Sequence, residues 1–577
     1  MQQHPDQHLH CLLIQPRFAE SNYWNFVEAA QAIGAKATAP PLGLLTVAAI
    51  LPQHWTFKVV DLNVRDLTEE EWSQADIVCT GGMLPQQAGT LDVIRQAKQR
   101  GKYTIVGGPD PTSQPQMYEE ADALVLGEGE LSIPMWMKSW REGKPVGTFS
   151  TKDSPDITTT PIPRFDLIRF DDYLYVGLQS SRGCPYNCEF CDVIELFGRK
   201  PRVKTPEQFV SELERLQELG YRGWIDIADD NFIGNRLKIK PVLRSVKQWL
   251  AENSYPFFFS TEASVNLADD EELLGLMQDC QFQYVFLGIE TPDKQVLVQT
   301  QKRINTVKPL IDQVRRIYAF GISVTAGFII GFDSEPENPE QTITDFVQES
   351  GITLAMIGLL SALPNTQLTK RLGREKRLIS YDHKWIQNSS EFYELRAEKS
   401  LDQTMGGLNF VTVRDRVEVY LQLKSIIQEV YSPRAFMDRV IDTTQRLNLK
   451  SKHRPNLWEL RRMLRGWAVL SSRLVLNRES RYYYLRNAWK SFWMGPSKFI
   501  FAHQLMGSYL HFARQTKKML VQLDLSIEFA KNQATYPRSV AELNTRLNRV
   551  ELPVADCENR YDLAKSSSVL ASVPASD

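Results

Sequence analysis

The sequence predicts an α/β protein in three parts: a doubly wound parallel sheet, a partial (β/α)6 barrel and a helical C-terminal domain. Three observations carry this. Short apolar segments alternate with helical stretches over residues 9–145, six strand-and-helix units repeat over 174–375, and past 376 apolar residues recur at helical spacing. Short strands that are apolar on both faces mark parallel sheets covered by helices on each side.

The first domain is expected over 1–145. Its strands read as Leu12-Leu13-Ile14, Val59-Val60, Ile77-Val78-Cys79-Thr80, Thr104-Ile105-Val106 and Leu124-Val125-Leu126. In such folds ligands bind at the carboxyl ends of the strands, where glycine lets a backbone come close. Glycines end several of these strands, at Gly81 and Gly82, Gly107 and Gly108, and Gly127, and Asp61 follows the second strand; Pro41, Gly43, Met83, Thr112 and Glu128 are their neighbours in the sequence motifs compared below. No G-x-G-x-x-G follows a strand, which disfavours a dinucleotide. Residues 146–173, rich in Thr, Pro and Asp, read as an extended linker.

The second domain is expected over 174–375, with strands near 174–179, 223–227, 257–261, 284–288, 324–330 and 354–360. Thr205-Pro206 and Asn338-Pro339 sign two helix starts. After the first strand comes a C-x3-C-x2-C loop of Cys184, Cys188 and Cys191. Three thiolates hold three corners of a [4Fe-4S] cubane and leave one iron open to chemistry. No second ligand pair at zinc spacing follows, and seven cysteines in 577 residues make a poor disulfide framework. Cys11 and Cys79 read as buried small hydrophobes. At the later strand ends stand Asp229, Asp230 and Asn231, then Glu262, Glu290, Gly327 and Gly331. Active groups of β/α barrels gather at this end, and adjacent carboxylates repel unless a cation or hydrogen bonds compensate.

The third domain is expected over 376–564 and a Ser/Ala-rich disordered tail over 565–577. Net charge is −2, yet residues 451–520 hold fourteen Lys or Arg against two Glu, with aromatics interleaved. Three uses compete: a cap packed on the barrel, a peripheral membrane surface, or RNA contact. No nucleic-acid module supports the last. No leader sequence opens the chain and no run approaches the roughly 18 apolar residues of a membrane span. The expected address is therefore cytoplasmic, with the inner face of a membrane as its border.

The cysteine loop in Ser181-Arg182-Gly183-Cys184-Pro185-Tyr186-Asn187-Cys188-Glu189-Phe190-Cys191 resembles the radical SAM superfamily. The glycine set of the first domain looks like the cobalamin-binding domain found ahead of many such barrels, although the D-x-H-x-x-G motif is absent. The stretches Met83-Leu84-Pro85-Gln86-Gln87, Glu195-Leu196-Phe197-Gly198-Arg199 and Ser361-Ala362-Leu363-Pro364-Asn365-Thr366 are similar to the hopanoid 2-methylase subgroup. The resemblance implies a [4Fe-4S] cluster, S-adenosylmethionine (SAM) and cobalamin as cofactors. Cys184, Cys188 and Cys191 would ligate the cluster, the acidic and glycine positions of the barrel would hold SAM, and the first domain would hold cobalamin. It implies methylation of an unactivated carbon of a lipid-like substrate, a hopanoid at position 2, with a one-electron reductant protein as partner. The competing expectation is a cobalamin-using radical SAM enzyme that rearranges, cyclises or oxidises without methyl transfer.

Overall fold

The computed structural model describes residues 8–19, 23, 26–379, 408–532 and 537–548. The expected tail and Cys557 lie outside the described residues, as does part of the helical block past 379.

The first sheet holds β1 (His10–Gln15), β2 (Thr56–Asp61), β3 (Ile77–Gly81), β4 (Tyr103–Gly107), β5 (Ala123–Val125) and β6 (Gly147–Phe149), in the order β2-β1-β3-β4-β5-β6. Every pair is parallel. Strand β1 is buried on both faces. Leu12 and Ile14 meet Trp72, Val93 and Ala97 of the helices on one side. Cys11 and Leu13 meet Ala48, Trp136 and Trp140 on the other. Cys11 and Cys79 are both buried, their sulfurs 3.5 Å apart. The strand order reverses between β1 and β3, the place where such sheets open a crevice. The sixth strand falls in the stretch read as linker: Gly147-Thr148-Phe149 pairs with β5 along Ala123–Val125.

The second sheet holds β7 (Val176–Leu178), β10 (Gly223–Ile227), β11 (Phe257–Ala263), β12 (Phe282–Glu290), β13 (Ser323–Ile330) and β14 (Leu354–Leu359), all parallel, in sequence order from one edge to the other. Between β7 and β10 run the two short strands β8 (Ser181–Arg182) and β9 (Arg202–Val203), an antiparallel ribbon. Ile225, Ile227, Phe257, Phe259, Val285 and Leu287 are buried in the layer that holds the outer helices. The alternate residues Trp224, Asp226, Phe258, Glu262, Tyr284, Phe286 and Gly288 are only half-buried and line the lumen. The helix Pro206–Glu218 starts as expected, with the Thr205 side chain accepting from the Gln208 N–H. Asn338 occupies the corresponding place before Pro339–Ser350, but its side chain makes no cap bond.

Past 408 the described residues are mainly helical. The 37-residue helix Pro496–Asn532 crosses the amino end of the barrel, stacking Phe501 on Tyr284 at 5.7 Å. No described helix is long and apolar enough to cross a membrane.

Candidate active site

The cysteine loop leaves β8 and returns through β9, so the ribbon pinches its two ends. Three consecutive residues after β10 then grip successive pieces of its start. Asp229, 1 % exposed, accepts from the Ser180 and Ser181 N–H groups at 2.7 and 2.9 Å and from their hydroxyls at 2.5 and 2.7 Å. Asp230 accepts from the Gly183 N–H at 2.9 Å. Asn231 directs its amide nitrogen at the Cys184 sulfur, 3.6 Å away. Gly183 has φ +90°, and a Cβ there would stand 2.9 Å from the Gly198 carbonyl oxygen, so only glycine fits. These hydrogen bonds offset part of the cost of holding Asp229 and Asp230 side by side, while burial and the Asp229 charge still push Asp230 up.

Burial pushes the Cys188 and Cys191 thiols up, and neighbouring negative charges add to it. The cation facing both is Lys302. Burial works against its charge, but Glu290 and the two cysteines outweigh it and hold its pKa above the usual lysine range. Lys302 is ion-paired to Glu290 and lies 5.8 Å from the Phe190 ring centre. Among the described residues no three His, Cys, Asp or Glu side chains close tightly enough around a single metal ion. Three thiols spread along an open loop, with a cation beside them, suit instead a cluster of several irons that makes them thiolates. Beside Phe190 a cavity of about 300 Å³ opens at the ends of β13 and β14, lined by Glu189, Phe332, Asp333, Leu360 and Arg371.

Within the lumen the carboxylates crowd. Ser260 takes the Trp224 indole N–H at 2.6 Å and donates to Asp226. Burial, then mutual repulsion, pushes Glu262 up to about 8. Burial pushes Asp226 and Asp230 up to about 6. Such a cluster favours a cationic guest. Gly327 and Gly331 answer to packing: a Cβ on Gly327 would stand 2.9 Å from the Phe286 ring, and one on Gly331 (φ +110°) 2.9 Å from Leu408.

The carboxyl edge of the first sheet has almost no side chains. A Cβ on Gly81 would meet the Gly107 carbonyl oxygen at 1.9 Å, one on Gly107 the Val125 carbonyl oxygen at 2.7 Å, and one on Gly108 the Gly82 nitrogen at 3.1 Å. Gly43 faces open space, and Met83 is 48 % exposed. Pro41 stands at the start of the helix Leu42–Ile50. The Thr112 hydroxyl donates to the Gly108 carbonyl and accepts from the Gly127 N–H, tying two strand ends together. The result is a glycine-paved ledge in which neighbouring strand-end backbones approach one another closely.

Two residues expected at that cofactor have their carboxylates taken up by protein partners. Asp61 accepts from the Asn63 backbone and side chain at 2.8 and 2.7 Å and from the Tyr173 hydroxyl at 3.3 Å. Glu128 is paired with Arg182 and Arg202, each at 2.7 Å, while Glu130 takes Arg182 at 2.8 Å. This cluster joins the first sheet to the residue two before Cys184. The ledge and the cysteine loop therefore share one interface, where burial raises Asp192 and the charge of Asp110 from the first domain adds to it.

Ser180, Ser181, Arg182, Arg202 and Lys302 were not singled out from the sequence. Arg182 and the two serines had a usable signal, since they abut the loop; Lys302 had none.

Family models match along the chain in the same order: B12 binding domain over 32–134, radical SAM superfamily over 178–346, and a domain of unknown function over 366–524. An uncharacterised methyltransferase of Synechocystis sp. is 40 % identical over 85 % of this chain and 89 % of its own length. The hopanoid C-2 methylase of Rhodopseudomonas palustris is 38 % identical over 60 % of this chain and 66 % of its own. The cobalamin-dependent SAM radical enzyme OxsB, with aqua-cobalamin and SAM bound, matches 94 % of this chain and 83 % of its own at TM-score 0.54 and 15 % identity, a likeness of fold. Barrel, loop and ledge together define a radical SAM enzyme built around a [4Fe-4S] cluster, SAM and cobalamin. Within that class the chain belongs to the cobalamin-dependent radical SAM methyltransferases.

Proposed function

We propose that the enzyme methylates an unactivated carbon of a polycyclic triterpenoid lipid of the hopanoid type, at position 2. The observation that carries this reading is the 38 % identity to a hopanoid C-2 methylase.

In this reading Cys184, Cys188 and Cys191 hold the cluster, and a one-electron reductant protein supplies it. Asp226, Asp230 and Glu262 face the cationic groups of SAM, and Lys302 with Glu290 balances charge at the cluster. The glycines at 81, 82, 107, 108 and 127, with Gly43 and Met83, seat cobalamin, while Asp61, Thr112 and Glu128 shape the ledge from behind. When bound, cluster and SAM supply a 5′-deoxyadenosyl radical that removes hydrogen from carbon, and cobalamin supplies the methyl group. The chain's own share is to hold three partners in near-contact and to exclude water.

The test is anaerobic incubation of the reconstituted enzyme with reductant, SAM and a hopanoid-bearing lipid extract. A product heavier by one CH2 is expected. Release of 5′-deoxyadenosine with a hopanoid consumed but not methylated would favour the rearranging or oxidising alternative.

A further inference from the structure

Two helices of the C-terminal domain turn their apolar stripes outward. On Leu457–Leu476, Leu457, Leu460, Leu464 and Trp467 recur at three- and four-residue spacing and are 77, 42, 56 and 48 % exposed. On Arg481–Phe492, Tyr482, Leu485, Trp489 and Phe492 repeat the spacing at 67, 51, 66 and 59 % exposed, and Trp493 follows at 70 %. A surface helix ordinarily buries such a stripe. Here the opposite faces are the buried ones, through Glu459 and Gly466 on the first helix and Tyr484, Asn487 and Ser491 on the second. The Tyr484 hydroxyl donates to Ser471 at 2.6 Å and couples the two helices.

The helix Pro496–Asn532 bridges the two stripes through Phe499 and the buried His503. Trp467 lies 6.5 Å from the His503 ring and His503 4.1 Å from Phe499. Phe499 lies 6.1 Å from Phe492, Phe492 5.5 Å from Trp493, and Trp493 5.5 Å from Trp489. This chain of rings crosses from one helix to the other. Exposed apolar areas of this extent mark interaction sites. Around them Arg461, Arg473, Arg478, Arg481 and Lys490 are exposed, and no salt bridge within the described residues engages them.

We propose that this surface docks on an anionic lipid bilayer. Tryptophan and tyrosine settle at the headgroup level, leucine and phenylalanine enter the acyl boundary, and the arginines meet the phosphates. A second copy of the chain is a poor occupant, because it would bring the same cations face to face. The proposal does not depend on which substrate the barrel takes. It places the enzyme where a lipid substrate would be found.

The experiment is co-sedimentation of the cofactor-loaded full chain with phosphatidylglycerol–phosphatidylcholine vesicles free of triterpenoid, alongside pure phosphatidylcholine vesicles. Binding to the anionic vesicles is expected, with a blue-shifted tryptophan emission and weakening by added salt. Trp489→Ser with Trp493→Ser, and separately Arg461→Glu with Arg481→Glu, should each lower vesicle affinity at least ~10-fold, about 1.4 kcal/mol. Cobalamin absorbance and cleavage of SAM should stay intact in these variants. Failure of the unmodified enzyme to bind anionic vesicles at low salt would overturn the proposal. So would a dimer in sedimentation velocity that the tryptophan variant converts to monomer, since the surface would then be covered by a second copy. A missing methylated hopanoid with vesicle binding retained would count against the substrate reading alone.

Discussion

Arg182 and Glu128 join the two halves of the active site at 2.7 Å, with side chains 12 % and 6 % exposed. Arg182 lies between Ser181, held by Asp229, and Gly183, held by Asp230. Glu128 follows Gly127, which Thr112 ties to the ledge. One ion pair thus connects the backbone before the first cysteine to the backbone beneath the expected cobalamin.

Glu128→Gln should therefore uncouple the enzyme. Removing one member of a buried charge cluster costs ~3–5 kcal/mol, and a small misplacement of reacting groups costs about a hundredfold in rate. 5′-Deoxyadenosine should still form while methylated product falls. Equal loss of both products would instead place Glu128 in cluster assembly.

Asp229→Ala should loosen the cysteine loop, because two buried N–H groups lose their acceptor at about 1–3 kcal/mol each. Iron bound per chain after anaerobic reconstitution is the readout. It should fall well below the parent value, with cobalamin binding unchanged.

Glu262 sets a pH dependence. Its pKa of about 8 in the fold stands above the ordinary 4.5. Between those values the ligand-free folded chain holds a proton that the unfolded chain has lost. Stability therefore falls as pH rises through that window, and the loss is complete above about 8. Melting temperatures of the ligand-free protein should show this slope, and Glu262→Gln should flatten it between about pH 6 and 8, leaving the part below about 6 that Asp226 and Asp230 contribute. SAM, being cationic, should bind more tightly as the same group ionises.

Cys184→Ala, Cys188→Ala and Cys191→Ala should each abolish SAM cleavage and leave cobalamin absorbance in place. A single variant retaining cleavage would remove that cysteine from the cluster.

The cysteine loop was legible because its three thiols lie within eight residues of one another, and the Asp229–Asn231 run and the glycines because they stand at strand ends, although the groups they meet are remote: Ser180 is 49 residues from Asp229 and Gly183 is 47 from Asp230. The protein partners of Asp61 and Glu128 were not legible because they are remote: Tyr173 is 112 residues away, Arg182 and Arg202 are 54 and 74. The strand Gly147–Phe149 escaped notice because it is short and largely exposed at the sheet edge, without the apolar run that announces its neighbours. The aromatics around Trp467 and Trp489 were visible as residues interleaved with the basic ones, but composition does not say which of them share a face or whether anything covers it.

The most direct test is electron paramagnetic resonance of the reduced, anaerobically reconstituted protein with and without SAM. The account predicts a [4Fe-4S] signal that SAM perturbs, as an iron lacking a protein ligand requires. A cubane indifferent to SAM, or no cubane at all, would contradict it.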